Sequence, residues 1–116
     1  MLIRVDHAST VSLAEQIAVQ IRMAIVRGEL QPKERLPPAR DLALALKCNV
    51  HTVLRGYSRL RDDGVIQMRQ GRGAWVRADV QPGLVELHAL LESVVIEARK
   101  HGLSPRDVAR FIERKH

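Results

Sequence analysis

Lys47-Cys48-Asn49-Val50-His51-Thr52-Val53-Leu54-Arg55-Gly56-Tyr57 holds the chain's only cysteine, a histidine three residues later, and apolar residues at helical spacing. Two readings compete for it. Either Cys48 and His51 begin a metal site, or the stretch is the polar front of a helix that touches a partner. At about 100° per residue, Val53, Leu54, Tyr57, Leu60 and Arg61 all fall within about 80° of Val50. His51, Thr52, Arg55 and Arg59 gather on the opposite side. Asn49 is a good N-cap and Gly64 a good stop, so a helix is expected over 50–62 with one core face and one polar, basic face.

The metal reading fares poorly. A zinc site needs three or four converging ligands, and there is no second cysteine. His7, His88, His101 and His116 are scattered, and His88/Glu92 at four-residue spacing reads as an ordinary surface pair. No nucleophile–base pairing, phosphate loop or paired-carboxylate motif stands out. We therefore assign no metal ligand, cofactor or catalytic residue, and expect a protein that is not an enzyme.

Working outward, residues 12–27 pattern as an amphipathic helix. Leu13, Ile17, Ile21, Ala24 and Ile25 share one face, with Glu15, Arg22 and Arg27 placed elsewhere. Ser12 is its cap, and Gly28 with Pro32 its stop. Gly28-Glu29-Leu30-Gln31-Pro32 is a turn leading into Arg35-Leu36-Pro37-Pro38. A shorter helix follows to Leu46, facing inward through Ala39, Leu42, Ala43 and Leu46. Only Lys47-Cys48 separates it from the helix above, which forces a tight bend. On the C-terminal side, Val65-Ile66-Gln67-Met68-Arg69 and Ala74-Trp75-Val76-Arg77 flank Gln70-Gly71-Arg72-Gly73, a hairpin signal with arginines at or near its tip. This order of elements is that of a winged helix-turn-helix: mainly α, with a small β-hairpin wing.

Asp79 to Gly83 reads as a linker, dividing the chain into a winged helix-turn-helix domain over 1–78 and a two-helix segment over 84–116. Leu84, Leu87, Leu91, Val94 and Ala98 form a three-four stripe, and Val95 adds apolar surface. Ser104, Pro105 and Asp107 restart a helix whose short apolar face includes Val108, Phe111 and Ile112. Two short helices cannot bury that surface alone. A dimer partner covering Leu84, Leu87, Leu91, Val94, Val95, Phe111 and Ile112 is expected.

The net charge of +6 is unevenly placed. Residues 33–77 carry ten Lys/Arg against four acids, while the remainder carries nine of each sign. A focused basic region points to a polyanion, nucleic acid first. Tyr57 and Trp75 are read as packing residues rather than base-stacking platforms, which argues against an RNA module. One cysteine cannot form an internal disulfide, no apolar run approaches a bilayer span, and Met1-Leu2-Ile3-Arg4 does not begin a signal peptide. The expected location is the cytoplasm, with no membrane partner.

Gly28-Glu29-Leu30 and Arg35-Leu36-Pro37-Pro38-Ala39-Arg40-Asp41-Leu42-Ala43 resemble the "G-x-L … R-L-P-S-x-R-x-L-A" block of GntR-family bacterial transcription regulators. Asn49 to Tyr57, then Leu60 and Asp63-Gly64-Val65-Ile66, resemble the "N-x-x-T-V-x-R-A-Y-x-x-L-x-x-x-G-x-I" pattern of the YtrA-like branch. Gln70-Gly71-Arg72-Gly73-Ala74-Trp75-Val76 is similar to that family's wing. The match covers about residues 10–78, and the two-helix tail more loosely resembles the branch's dimerisation segment.

The resemblance implies a homodimeric repressor that reads an inverted-repeat, double-stranded operator. Its implied DNA contacts are Arg35, Arg40, Asn49, Val50, His51, Thr52 and Arg55, with Gln70, Gly71 and Arg72 on the wing. His51, Thr52 and Arg55 face the major groove, and Asn49 is a cap first. Arg40 grips backbone or a nearby base. Arg72 enters the minor groove or lies on phosphates. Arg59, Arg61 and Arg69 are read as solvated surface. Three positions depart from the pattern: Pro38 replaces a capping Ser, Val50 stands where many relatives carry a base-reaching Arg, and Gly56 replaces Ala. The competing readings are a non-specific architectural DNA-binding protein and a winged-helix protein-interaction module. A small-molecule effector has no support in the sequence, since a tail of about 35 residues is too short to enclose a drug-sized pocket by itself.

Overall fold

The computed structural model describes residues 2–115; Met1 and His116 lie outside the described residues. The elements run α1 (Leu13–Val26), α2 (Ala39–Leu46), α3 (Val50–Asp62), β1 (Ile66–Arg69), β2 (Gly73–Val76), α4 (Pro82–Lys100) and α5 (Pro105–Arg114). Helix α3 packs across α1 and α2, and the antiparallel hairpin pairs Ile66 with Val76 and Arg69 with Gly73. This is the expected winged helix. Ile17, Ile21 and Ile25 of α1 meet Val53, Tyr57 and Leu60 of α3, with Ile66 and Val76 closing the core from the hairpin.

Local signals account for most boundaries. The Ser12 hydroxyl accepts from the Glu15 N–H, and the Asn49 side chain accepts from the His51 N–H. Ser104 and Asp107 close a reciprocal capping box, and the bonds from the Ser104 backbone and hydroxyl hold the Asp107 carboxyl below its usual range. Pro38 caps α2 without any side-chain bond.

The core face of α3 is rotated from its expected position. Val53, Gly56, Tyr57 and Leu60 are buried, whereas Val50 and Leu54 are only half-buried and Arg61 is exposed. The reason is Gly56. A Cβ there would lie 2.9 Å from the Ala14 carbonyl oxygen and 3.3 Å from Ile17 Cγ2, so the missing side chain lets α1 come close. Gly56→Ala gains about 1 kcal/mol of helix propensity but overpacks a backbone contact, at about 1–3 kcal/mol. The expected outcome is a net loss of about 1 kcal/mol in urea melts. A stabilised variant would show that the two helices are not in that contact.

Two features depart from the expected organisation, and a third lies outside it. Residues 33–36, read as leading out of a turn, lie along β2: Lys33 N–H donates to the Val76 carbonyl at 2.9 Å, Val76 N–H to Glu34 at 2.8 Å, and Leu36 N–H to Ala74 at 2.9 Å. Residues 82 and 83, read as linker, form the first turn of α4, where proline loses no helical bond. Val80 packs against the core and Val85 is buried in it, so the junction is held rather than loose. Finally, the N-terminal segment is ordered against α1 by two side-chain amides. Gln16 Oε1 accepts from the Asp6 N–H at 2.8 Å while its Nε2 donates to the Asp6 and Val11 carbonyls. Gln20 does the same with both backbone groups of Arg4. Each glutamine stands in for a strand partner, and Ile3 is buried beneath them.

Candidate nucleic-acid interface

Lys47 takes a left-handed conformation (φ 55°, ψ 48°), and the Cys48 N–H returns to the Ala43 carbonyl at 3.0 Å. This turns the chain within two residues and presents the front of α3. The Asn49 side chain is engaged at 2.8 Å with the His51 N–H, so it acts as the cap. His51 and Arg55 are exposed, while Thr52 is half-buried against the start of α1. Arg55 Nη2 donates to the Thr52 hydroxyl at 3.3 Å, which steadies the guanidinium along the helix.

At the wing, Gln70, Gly71 and Arg72 are all exposed. The Arg72 N–H donates to the Arg69 carbonyl at 3.0 Å, closing a turn whose third residue, Gly71, has φ +78°. A left-handed residue at that position is what a type II turn requires, and glycine adopts it without strain. Trp75 is half-buried, its indole N–H bonded to Gln67 Oε1 at 2.8 Å across the hairpin. Arg35 reaches the wing from the edge segment, Nη1 donating to the Arg72 carbonyl at 2.6 Å.

A cleft of about 390 Å³ separates α3 from the wing and brings these parts together. Pro37, Pro38 and Ala39 at the start of α2 form one end, Leu54 and Arg61 one wall, and Arg69, Gln70 and Gly71 the other. Arg61 and Arg69, read from the sequence as solvated surface, line it. So does Leu54, read as core. The signal was present: Leu54 and Arg61 fall on the same stripe of α3 as Val50, the stripe that Gly56 swings away from the core.

Some of the cations meet carboxylates within the fold. Arg22 meets Asp63, Arg59 meets Glu15, Arg61 meets Asp62, and Arg77 meets Asp79. Within residues 33–77, Lys33, Arg35, Arg40, Lys47, Arg55, Arg69 and Arg72 have no carboxylate partner among the described residues, and Arg4, Arg27 and several cations of α4 and α5 likewise have none. The seven within residues 33–77 sit on the edge segment, α2, the bend, the front of α3 and the wing. Charge left uncompensated on those elements is the electrostatic footprint of a polyanion surface.

Among the described residues no three His, Cys, Asp or Glu side chains gather as a metal site would need. Burial pushes the Cys48 thiol up, which disfavours its thiolate form. Among the described residues, no helix is long and apolar enough to cross a membrane. On the tail, Leu84, Leu87, Leu91, Val94, Phe111 and Ile112 are exposed, and Val95 is half-buried.

Residues 13–76 match the model of a family described as bacterial regulatory proteins, gntR family. The chain is 27% identical over 117 residues to the HTH-type transcriptional repressor YtrA of Bacillus subtilis (strain 168), covering 97% of this chain and 90% of that protein. It is 31% identical over 102 residues to the uncharacterized HTH-type transcriptional regulator YhcF of the same organism, covering 84% of each. Among solved structures, YtrA from Sulfolobus acidocaldarius, a GntR-family transcription factor, superposes with a TM-score of 0.63 at 32% identity, covering 81% of this chain and 99% of that one. These relatives are regulators, not enzymes.

Proposed function

Because the chain belongs to the gntR family of bacterial regulatory proteins and is a DNA-binding transcription regulator, we propose that it acts in the cytoplasm as a homodimeric repressor reading an inverted-repeat operator. The observation that carries this reading is the gathering of uncompensated cations on the helix-turn-helix and the wing. Lys33, Arg35, Arg40 and Lys47, with Arg55, Arg69 and Arg72, stand without a carboxylate partner among the described residues on the edge segment, α2, the bend, the front of α3 and the wing. In this arrangement α3 enters the major groove. His51 and Arg55 meet base edges, Thr52 meets a thymine methyl or a phosphate, and Val50 offers apolar contact. Asn49 orients the helix front. Arg40 holds backbone, and Gln70, Gly71 and Arg72 follow the minor groove, with Arg35 beside them. Residues 1–78 form the reading head.

The residues beyond the junction supply the two-fold contact. Leu84, Leu87, Leu91, Val94, Val95, Phe111 and Ile112 form an apolar surface that a second copy covers, and self-association suits a palindromic site. A single chain leaves those side chains in water, which disfavours a lasting monomer.

The test is a gel shift on the upstream region of the protein's own operon, at two salt concentrations and with random DNA as competitor. Strong preference for the upstream DNA is expected. Equal affinity for both DNAs would favour a non-specific architectural protein, and no salt-dependent binding would favour a protein-interaction module. Arg55→Ala removes a base contact worth about 1–3 kcal/mol, so operator affinity should fall roughly 5- to 150-fold and discrimination at one base pair should relax. Arg72→Ala should weaken binding to all sequences alike and flatten the salt dependence by about 0.9 in slope. If neither substitution weakens binding, the contact surface lies elsewhere.

A further inference from the structure

The wing is a short hairpin that should not hold its shape alone. Two strands of four residues are marginal in water, and a third pairing or a packed neighbour is needed. Residues 33–36 supply that support at the base of the hairpin, through backbone bonds to Ala74 and Val76. No such bond reaches the turn. Beyond Gly73, the described contacts of the tip are the Arg72 N–H to the Arg69 carbonyl, within the hairpin, and Arg35 Nη1 to the Arg72 carbonyl at 2.6 Å, from outside it. Arg35 is thus the one side chain from elsewhere in the fold bonded to the turn among the described residues.

Its placement suits a strut. Arg35 is bridged antiparallel to Trp75, so its backbone is fixed beside β2 while its side chain runs along the hairpin toward the turn. The donor is a charged guanidinium, and such bonds are shorter and stronger than neutral ones. Gly73, with φ +89°, sits under this path, and a Cβ there would lie 3.7 Å from Arg35 Nη1. The guanidinium has five N–H donors in a planar fork, and a bond to one carbonyl holds the turn in a single direction.

We propose that Arg35 is a positioning residue that braces the wing turn, so that Arg72 and its neighbours reach DNA already placed, and that Arg35 acts through the wing rather than as a phosphate ligand. The proposal rests on the DNA-binding reading above. It assigns Arg35 a different role from Arg40, which is also exposed but, among the described residues, has no carboxylate partner and no side-chain bond to another element. Order in the free wing lowers the cost of fixing it on binding, which is where the affinity arises.

Three measurements separate a strut from a ligand. The sequence has one tryptophan, Trp75, and it lies on the wing beside Arg35, so its fluorescence reports wing order in the free protein. Arg35→Ala should increase acrylamide quenching of Trp75 and lower its anisotropy without changing the thermal midpoint of the whole domain. Arg35→Gln, which is less disruptive, should shift both in the same direction by less. On operator DNA, Arg35→Ala should weaken binding about tenfold in the wild-type background but less than twofold when Arg72 is already alanine, since the cost of ordering the wing matters only where Arg72 makes its contact. That contact still forms in the complex, so the slope of log affinity against log salt should stay within about 0.3 of wild type, whereas losing a phosphate contact shifts it by about 0.9.

Undisturbed Trp75 fluorescence, a full additive loss in the Arg72→Ala background, or a slope change near 0.9 would each overturn the brace. Wild-type protein that fails to prefer its operator would instead overturn the functional reading, and the Trp75 measurement would still decide whether the brace exists.

Discussion

Tyr57→Ala is expected to lower the unfolding free energy by about 4 kcal/mol, the largest effect of any single substitution considered. Tyr57 is the largest of the fully buried side chains, 1% exposed, at the crossing of α3 with α1 and α2. Truncating a buried aromatic to alanine costs about 3–5 kcal/mol through lost burial and the cavity left behind. The phenol adds a second contribution, because its O–H donates to the Pro37 carbonyl at 2.7 Å. Burial pushes the phenol far above its usual titration range, so this donor persists across the working pH. That bond also ties down the residue before Pro38, where α2 starts without a side-chain cap. Tyr57→Phe keeps the ring and removes only the bond, so it should cost about 1 kcal/mol. Urea unfolding of both variants reads the difference directly. Equal losses would mean that the ring is not packed as described. Against a total stability of about 5–15 kcal/mol, the alanine variant stands near the edge of folding and should melt on the order of 20 °C lower.

Arg22→Met should cost about 3 kcal/mol. The sequence pattern places Arg22 away from the apolar face of α1, yet the side chain is only 4% exposed. Its Nη2 donates to Asp63 Oδ2 at 2.6 Å, at the end of α3, and its Nη1 lies 3.6 Å from Glu15 and 3.7 Å from Glu92. One guanidinium thus joins α1, the end of α3 and α4 in a wall of the junction cleft. Methionine keeps the apolar stem but strands the carboxylates. Breaking a buried ion pair from one side costs about 3–5 kcal/mol, and the lower end applies because Asp63 and Glu92 keep partial access to water. Removing the stranded charge as well, in Arg22→Met/Asp63→Asn, should recover part of the loss. That recovery is the coupling of the pair, read by a double-mutant cycle in urea. A single-variant loss below about 0.5 kcal/mol would show the guanidinium to be solvated.

How much of this was legible depended on the range of the forces involved. Helix starts at Ser12, Asn49 and Ser104 were legible because a cap is a bond across three residues or fewer. The stops at Gly28, Gly64 and Gly102 were legible too, since each takes a positive φ that glycine alone adopts freely. The hairpin followed from its β-formers and the Gly71 turn. The order of those elements, with the cluster of cations between residues 33 and 77, was enough to name the winged helix and its expected partner.

Contacts between distant residues were not legible in that way. Residues 33–36 form a strand-like edge only because β2 presents its free backbone groups forty residues away, as the Lys33–Val76 and Leu36–Ala74 bonds record. Gln16 and Gln20 sit on a helix like any polar residues until an extended segment arrives to pair with their amides. Gly56 looked like a weak helix former, and becomes a necessity once the Ala14 carbonyl is 2.9 Å from where its Cβ would be. That close approach rotates α3, which in turn sends Leu54 and Arg61 toward the cleft by the wing and leaves His51 and Arg55 outermost. By itself, then, the sequence determined the elements, their order and the basic stretch, because caps, turns and periodicity act within a few residues. The tertiary structure alone decided which face of α3 points outward, which arginines are neutralised and which brace the wing, because those outcomes depend on partners that only the folded chain brings within bonding distance.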